Sequence, residues 1–109
     1  MNVIDLSKEA DLKVVTLPCP EHEVNGAYIG DLLSWVMGRA TEGDAWITIM
    51  SNQNIVAVAS LAEVSCIILA EGVVPDEGVA KTAEIKGVNI LSSEKSAYEI
   101  AKKLSELNV

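Results

Sequence analysis

Phenylalanine is absent from this 109-residue chain, and only two Trp and two Tyr supply large aromatic side chains, so most of the core must be aliphatic. Cysteine is scarce too. Cys19 and Cys66 are too few for a disulfide scaffold, and Cys66 lies in the apolar run Cys66-Ile67-Ile68-Leu69, where a reduced, buried thiol is expected. A cytoplasmic home follows. One histidine, His22, leaves no second imidazole for a zinc site or for a serine triad. Basic residues are missing from the whole stretch between Arg39 and Lys81, whereas Glu42, Asp44, Glu63, Glu71, Asp76 and Glu77 fall within it. The net charge of −8 argues against nucleic acid as a partner, because phosphate-backbone binding needs clustered Lys and Arg. No run approaches the roughly 18 apolar residues of a membrane span, and MNVIDLSKEADL has no basic leader before an apolar core, so neither a membrane partner nor a signal peptide is expected. Phosphate loops of the GxxxxGK[ST] type, GxGxxG fingerprints, GxSxG elbows and CxxC pairs are likewise missing, which takes away the usual machinery of nucleotide-triphosphate, dinucleotide and thiol chemistry. No catalytic residue and no cofactor are assigned.

What is present is alternation of strand-like and helix-like segments. At this length a single domain buries roughly two thirds of its unfolded surface and needs no staple. Residues 2–11 read as a short helix and Leu12 to Leu17 as a strand, ended by Pro18 and Pro20; PCPEHEVN is a loop. Gly26 to Ile29 reads as a short strand leading to Gly30-Asp31, with Asp31 placed as the N-cap of a helix whose face is Leu32, Leu33, Val36 and Met37 and whose stop is near Gly38. Trp35 points off that face. AWITIM, 45–50, is a central strand. IVAVASLAEV fits helix by Ile55, Val58, Ala59 and Ala62, and fits strand by alternation. CIILA, 66–70, has the continuous apolar character of a strand buried on both faces, Pro75-Asp76-Glu77 opens a helix that Gly87 closes, and Val88 to Leu91 is a strand. Ser92 or Ser93 caps a last helix with the apolar stripe Ala97, Ile100, Ala101, Leu104 and Leu107. These segments predict one three-layer α/β/α domain with a mainly parallel sheet of about five strands.

In such a sheet the loops after the strands share one edge, where helix N-termini and polar groups receive small ligands. Gly30, Asp31, Ser51, Asn52, Gln53, Asn54, Glu71, Gly72, Ser92 and Ser93 fall there and form the candidate ligand-binding set. The bland reading is that Asp31, Asn52 or Asn54, and Ser92 or Ser93 merely cap helices. With no cation between Arg39 and Lys81, an anionic ligand at this edge must use backbone N–H groups and neutral side chains, or a lysine from elsewhere. Cys19 and His22, in Cys-Pro-Glu-His, offer two soft ligands without the third or fourth that a metal site wants, so no metal is assigned.

From residue 24 to the C-terminus, with 1–23 as an added helix, strand and loop, the sequence resembles the DRTGG domain. That module is fused to phosphotransacetylases and CBS-domain pyrophosphatases and is similar to the N-terminal domain of HPr kinase. The stretches NGAYIGDLLSWVMGRA, DAWITIMSNQNIVAVASLAEVSCIILAEGVVPDEGVAKTAEIKGVNIL and SAYEIAKKL carry the resemblance, and small stand-alone clostridial-type relatives share GDLLSWVMGRA and WIT-NIVAVASL most fully. The resemblance implies the same three-layer fold and a helix for IVAVASLAEV. Its Gly-Asp-Arg falls on Ser51, Asn52 and Gln53, and its Thr-Gly-Gly on Ala70, Glu71 and Gly72, so only the last glycine survives. HPr kinase activity resides in a separate phosphate-loop domain, and no phosphate loop occurs in this sequence. The functional expectation is a non-catalytic, homodimeric regulatory domain sensing a small molecule or nucleotide, the dimer suggested by Trp35 and Tyr28 beside the GDLLSWVM helix. Two other readings stand beside it: an accessory partner of an iron hydrogenase-type redox enzyme, and a nucleotide- or phosphate-ester-acting enzyme.

Overall fold

The computed structural model describes residues 1–109. Ten elements follow one another: α1 (Val3–Glu9), β1 (Lys13–Thr16), β2 (Gly26–Ile29), α2 (Leu33–Arg39), β3 (Asp44–Thr48), α3 (Asn54–Ala62), β4 (Cys66–Leu69), α4 (Val79–Lys86), β5 (Ile90–Ser92) and α5 (Ala97–Glu106). The strands lie in the order β1-β5-β4-β3-β2. Pairings β2–β3, β3–β4 and β4–β5 are parallel, while β1 runs antiparallel to β5 with a register shift between Val14 and Thr16.

Side-chain alternation in the strands builds two cores. Ala45, Ile47, Cys66, Ile68 and Leu91 point to the face covered by Val3 and Leu6 of α1 and by Ile100 and Leu104 of α5. Trp46, Ile67, Leu69 and Ile90 point to the opposite face, under Val36 of α2, Ile55 and Ala59 of α3, and Val79 and Ala83 of α4. The result is the expected three-layer α/β/α domain. From β2 to β5 the chain advances one strand at a time, so its crossover helices α2, α3 and α4 all land on one face; after β5 it turns to the other face.

IVAVASLAEV is helical over α3, closed by Glu63 in a left-handed conformation. Gly87 closes α4, also left-handed. Five local expectations are corrected. Asp31 caps nothing: the residue before α2 is Leu32, and the Asp31 carboxylate is drawn to β3 instead. Gly38 lies inside α2, which ends only when Ala40 becomes extended and enters the Thr41–Asp44 turn, where the Thr41 N–H donates to Asp44 Oδ2 at 2.8 Å. Of the α2 face, only Val36 is buried; Leu32 and Met37 are exposed. Pro75-Asp76-Glu77 does not open α4, which begins at Val79 behind the left-handed Gly78, and neither Ser92 nor Ser93 caps α5. Ser96 does, in a capping box with Glu99, because β5 extends through Ser92 and the loop through Lys95 is tied to the turn after β4.

Burial pushes the Cys66 thiol up to about 12. A thiol held above its unfolded value of about 8.5 adds stability that is complete below that value and is lost as pH rises toward the folded one. Stability should therefore decline from about pH 8.5 upward, by at most about 1.4 kcal/mol per pH unit from this group. Urea denaturation at neutral and alkaline pH checks this, since the Cys66→Ala protein should lose that part of the slope.

Candidate functional site

All four parallel strands end on one edge, and the antiparallel β1 begins there. That orientation brings Lys13, opposite Ser92, to the edge where the loops after the parallel strands end. The ten residues expected to form the site divide there into three groups.

The first surrounds Asp31. Its Oδ1 accepts the Thr48 hydroxyl at 2.8 Å and the Ile49 N–H at 3.0 Å, tying the end of β2 to the end of β3. Beside it the Gly30 carbonyl accepts the Trp46 indole N–H at 2.8 Å. The second group is the turn after β3. Ser51 donates its hydroxyl to Asp76 Oδ1 at 2.9 Å and accepts the Asp76 N–H at its carbonyl, also at 2.9 Å, so the two loops are clamped. Asn52 Oδ1 accepts the N–H of Asn54, the first residue of α3, at 2.9 Å, satisfying a helix-terminal donor from one residue upstream of the formal cap, while Gln53 and Asn54 are exposed and cap nothing with their side chains.

The third group lies between β4 and β5. Glu71 donates its N–H to the Lys95 carbonyl and Gly72 to that of Ser93, each at 2.9 Å, while Ser93 Oγ accepts the Lys95 N–H at 3.0 Å. Glu71 and Gly72 are consecutively left-handed, with φ of 62° and 72°. The conformation suits glycine at both positions and costs a residue with a side chain about 1 to 2 kcal/mol. A Cβ on Gly72 would also sit 2.6 Å from Glu94 Oε2. Here a cavity of about 390 Å³ opens, lined on its polar side by Lys13, Gly72, Ser92, Ser93 and Glu94 and on its apolar side by valines of β1 and of the 73–74 segment. Of the expected residues, the cavity gathers Gly72, Ser92 and Ser93; Gly30, Asp31, Ser51, Asn52, Gln53, Asn54 and Glu71 do not line it. Lys13 was missed because nothing in Leu12-Lys13-Val14 signals that its strand runs against the others.

A second cavity, about 370 Å³, lies at the opposite edge and contains His22 with Glu23, Glu42, Glu63 and Lys86. Cys19 does not share it; half-buried, it turns its Sγ to the Gly87 carbonyl at 3.5 Å. No three His, Cys, Asp or Glu side chains come together in a way that could hold a metal ion.

Fold and edge together define an α/β domain whose polar loops converge beside the last parallel strand. The chain belongs to the DRTGG domain family, whose model matches residues 21–107. It is also similar in structure to the CBS and DRTGG domains of the regulatory region of Clostridium perfringens pyrophosphatase, solved with the activator diadenosine tetraphosphate. That superposition has a TM-score of 0.72 at 11% identity and covers 94% of this chain but 45% of the other, so the likeness is one of fold and this chain spans less than half the length of that structure. No curated protein matches the sequence. No helix is long and apolar enough to cross a membrane.

Proposed function

We propose that this chain is a non-catalytic regulatory domain of the cytoplasm, homodimeric, that senses a small molecule or nucleotide in the cavity beside β5. The observation that carries the reading is the meeting of Lys13 with Gly72, Ser92 and Ser93 at one cavity on the strand-end edge. Membership of the family whose members regulate larger enzymes supports the regulatory role, and the activator-bound regulatory region of the pyrophosphatase supports a nucleotide as one class to test. Chemistry in the site narrows the class. One cation stands against one carboxylate, Glu94, so the cavity suits a nucleoside, a monophosphate or a zwitterionic metabolite better than a polyphosphate, which would need several cations or exposed N–H donors. Three N–H donors of this edge are spent: those of Glu71 and Gly72 bond to carbonyls, and that of Asn54 to Asn52.

A thermal-shift and calorimetric screen of nucleosides, nucleotides and small metabolites tests this, because a ligand at 100 times its dissociation constant adds about 2.7 kcal/mol of stability. Lys13→Ala should weaken a bound ligand about tenfold, a change of about 1.4 kcal/mol, while leaving the free protein's stability within about 0.5 kcal/mol. Equal affinity in Lys13→Ala would remove the cavity from the proposal.

A further inference from the structure

The two edges of the sheet differ in a way that sequence alone does not announce. β1 is blunted: it carries Lys13, is irregular between Val14 and Thr16, runs into Pro18, and is fastened to α4 by the Thr16 hydroxyl donating to Glu84 Oε2. These are the means by which natural sheets stop unwanted strand addition. β2, the other edge, reads Gly-Ala-Tyr-Ile and has no charge, no proline and no bulge. Gly30 donates its N–H inward to the Ile47 carbonyl at 3.2 Å, so by alternation along a parallel ladder the backbone groups of Ala27 and Ile29 face away from β3.

An apolar border accompanies that open edge. Ile29 is 50% exposed, Leu32 59%, Trp35 52% and Ile49 48%, and the Asp31 to Ile49 hydrogen bond holds the two strand ends of this group together. Leu32, Trp35 and Arg39 share one helical stripe of α2, at i, i+3 and i+7. Such a concentration of large apolar side chains, with Trp and Arg among them, is the composition of an interface centre.

We infer that the β2 edge and the outer stripe of α2 form a two-fold interface between two copies of this chain. The inference gives the homodimer proposed above its surface and rests on that reading. Across a two-fold axis through Tyr28, the outward groups of Ala27 meet those of Ile29 in the second copy and the reverse, joining two sheets into one, and the two α2 helices lie side by side on the same face.

Charge selects a second copy as the occupant. Each chain carries a net charge of −8, so most surfaces of two copies repel. At this border the charges are balanced and unspent. The Arg39 guanidinium lies 3.8 Å over the Trp35 ring with no carboxylate partner, the single salt bridge in the chain being that of the N-terminus with Glu23. Asp31 uses only Oδ1, leaving Oδ2 without a partner. A two-fold interface brings each free cation toward the other copy's free carboxylate, a self-complementary pairing.

Sedimentation of the full chain at micromolar concentration should show a dimer, with Trp35→Glu and Ile29→Lys each monomeric and Leu61→Lys, on the exposed surface of α3 away from this border, still dimeric. Hydrogen exchange gives an independent reading: the Ala27 and Ile29 amides should become protected as concentration rises. A monomeric wild-type chain would overturn the homodimer reading and this surface with it. A wild-type dimer that survives both substitutions, with amides at 27 and 29 exchanging at a rate independent of concentration, would leave the dimer standing and overturn the surface alone. Both substituted side chains are half exposed, so circular dichroism should show unchanged folding.

Discussion

Asn89→Leu is expected to lower the stability of this domain by about 3 kcal/mol, read as a lower urea midpoint at an unchanged slope. Asn89 is 1% exposed, sits at the entrance to β5, and spends its whole amide on backbone. Its Oδ1 accepts the Cys19 N–H at 2.9 Å, and its Nδ2 donates to the Cys19 carbonyl at 2.7 Å and to the Ser65 carbonyl at 2.9 Å. One side chain thereby fastens the 18–22 loop and the start of β4 to the entrance of β5, in place of the backbone pairing that a strand would have supplied. Leucine is of similar volume but offers neither donor nor acceptor, so the Cys19 N–H and the Ser65 C=O lose their partner and the Cys19 C=O keeps only the His22 N–H at 3.3 Å, at about 1 to 3 kcal/mol for each group left unpaired where water cannot reach. Against a total of about 5 to 15 kcal/mol, that is a large fraction. Asn89→Asp should separate hydrogen bonding from size. It retains the acceptor for Cys19 but sets a carboxylate against two carbonyls, which favours the protonated acid; its folded value is then raised, so stability returns as pH falls and is lost as pH rises.

Asn89 also marks where sequence reading stops. Periodicity and run length placed the helices and strands except α3, where IVAVASLAEV fits both periods and only the resemblance pointed to helix. The cap assignments failed for a common reason. Asp31, Asp76 and Ser92 or Ser93 are residue types that cap helices when nothing else competes, but Asp31 is taken by Thr48 and Ile49, Asp76 by Ser51, and Ser92 by the β1 pairing. Those partners lie 17 to 79 residues away in the chain, so local chemistry could not reveal them. Ser96, by contrast, was findable: Ser-x-x-Glu precedes an apolar stripe, and no long-range group competes for it.

The candidate site divides the same way. That loops after parallel strands converge follows from topology and placed Gly72, Ser92 and Ser93 correctly at one edge. The direction of β1 does not follow from its residues, and it is that direction which delivers Lys13. Motif comparison helped at one position in an unexpected sense. Glu71 and Gly72, on which the resemblance sets the two glycines of Thr-Gly-Gly, both take the left-handed conformation that glycine adopts without strain, so Glu71 stands where glycine would be favoured.

The largest effect is expected at Trp46. Trp46→Ala should cost about 3 to 5 kcal/mol, enough to leave a substantial unfolded population, whereas Trp46→Phe should cost less. Trp46 is fully buried in the centre of β3 and is the largest side chain of the core under α2, α3 and α4, in a chain with no phenylalanine to share the volume. Alanine removes the transfer energy of the ring and leaves a cavity that the aliphatic neighbours Ile67, Leu69 and Ile90 cannot fill without moving the sheet. Trp46 also acts at the strand-end edge. Its indole N–H holds the Gly30 carbonyl, one residue before Asp31, so the ring sets the exit of β2 as well as the packing beneath it. Phenylalanine keeps most of the apolar volume and loses that bond, so the two substitutions separate packing from positioning. If the β2 edge is the two-fold surface, Trp46→Phe should remain folded yet dimerise more weakly, because Ile29, Gly30 and Asp31 lose their fixed exit angle. A dimer of unchanged affinity in Trp46→Phe would show that the indole hydrogen bond serves the core alone.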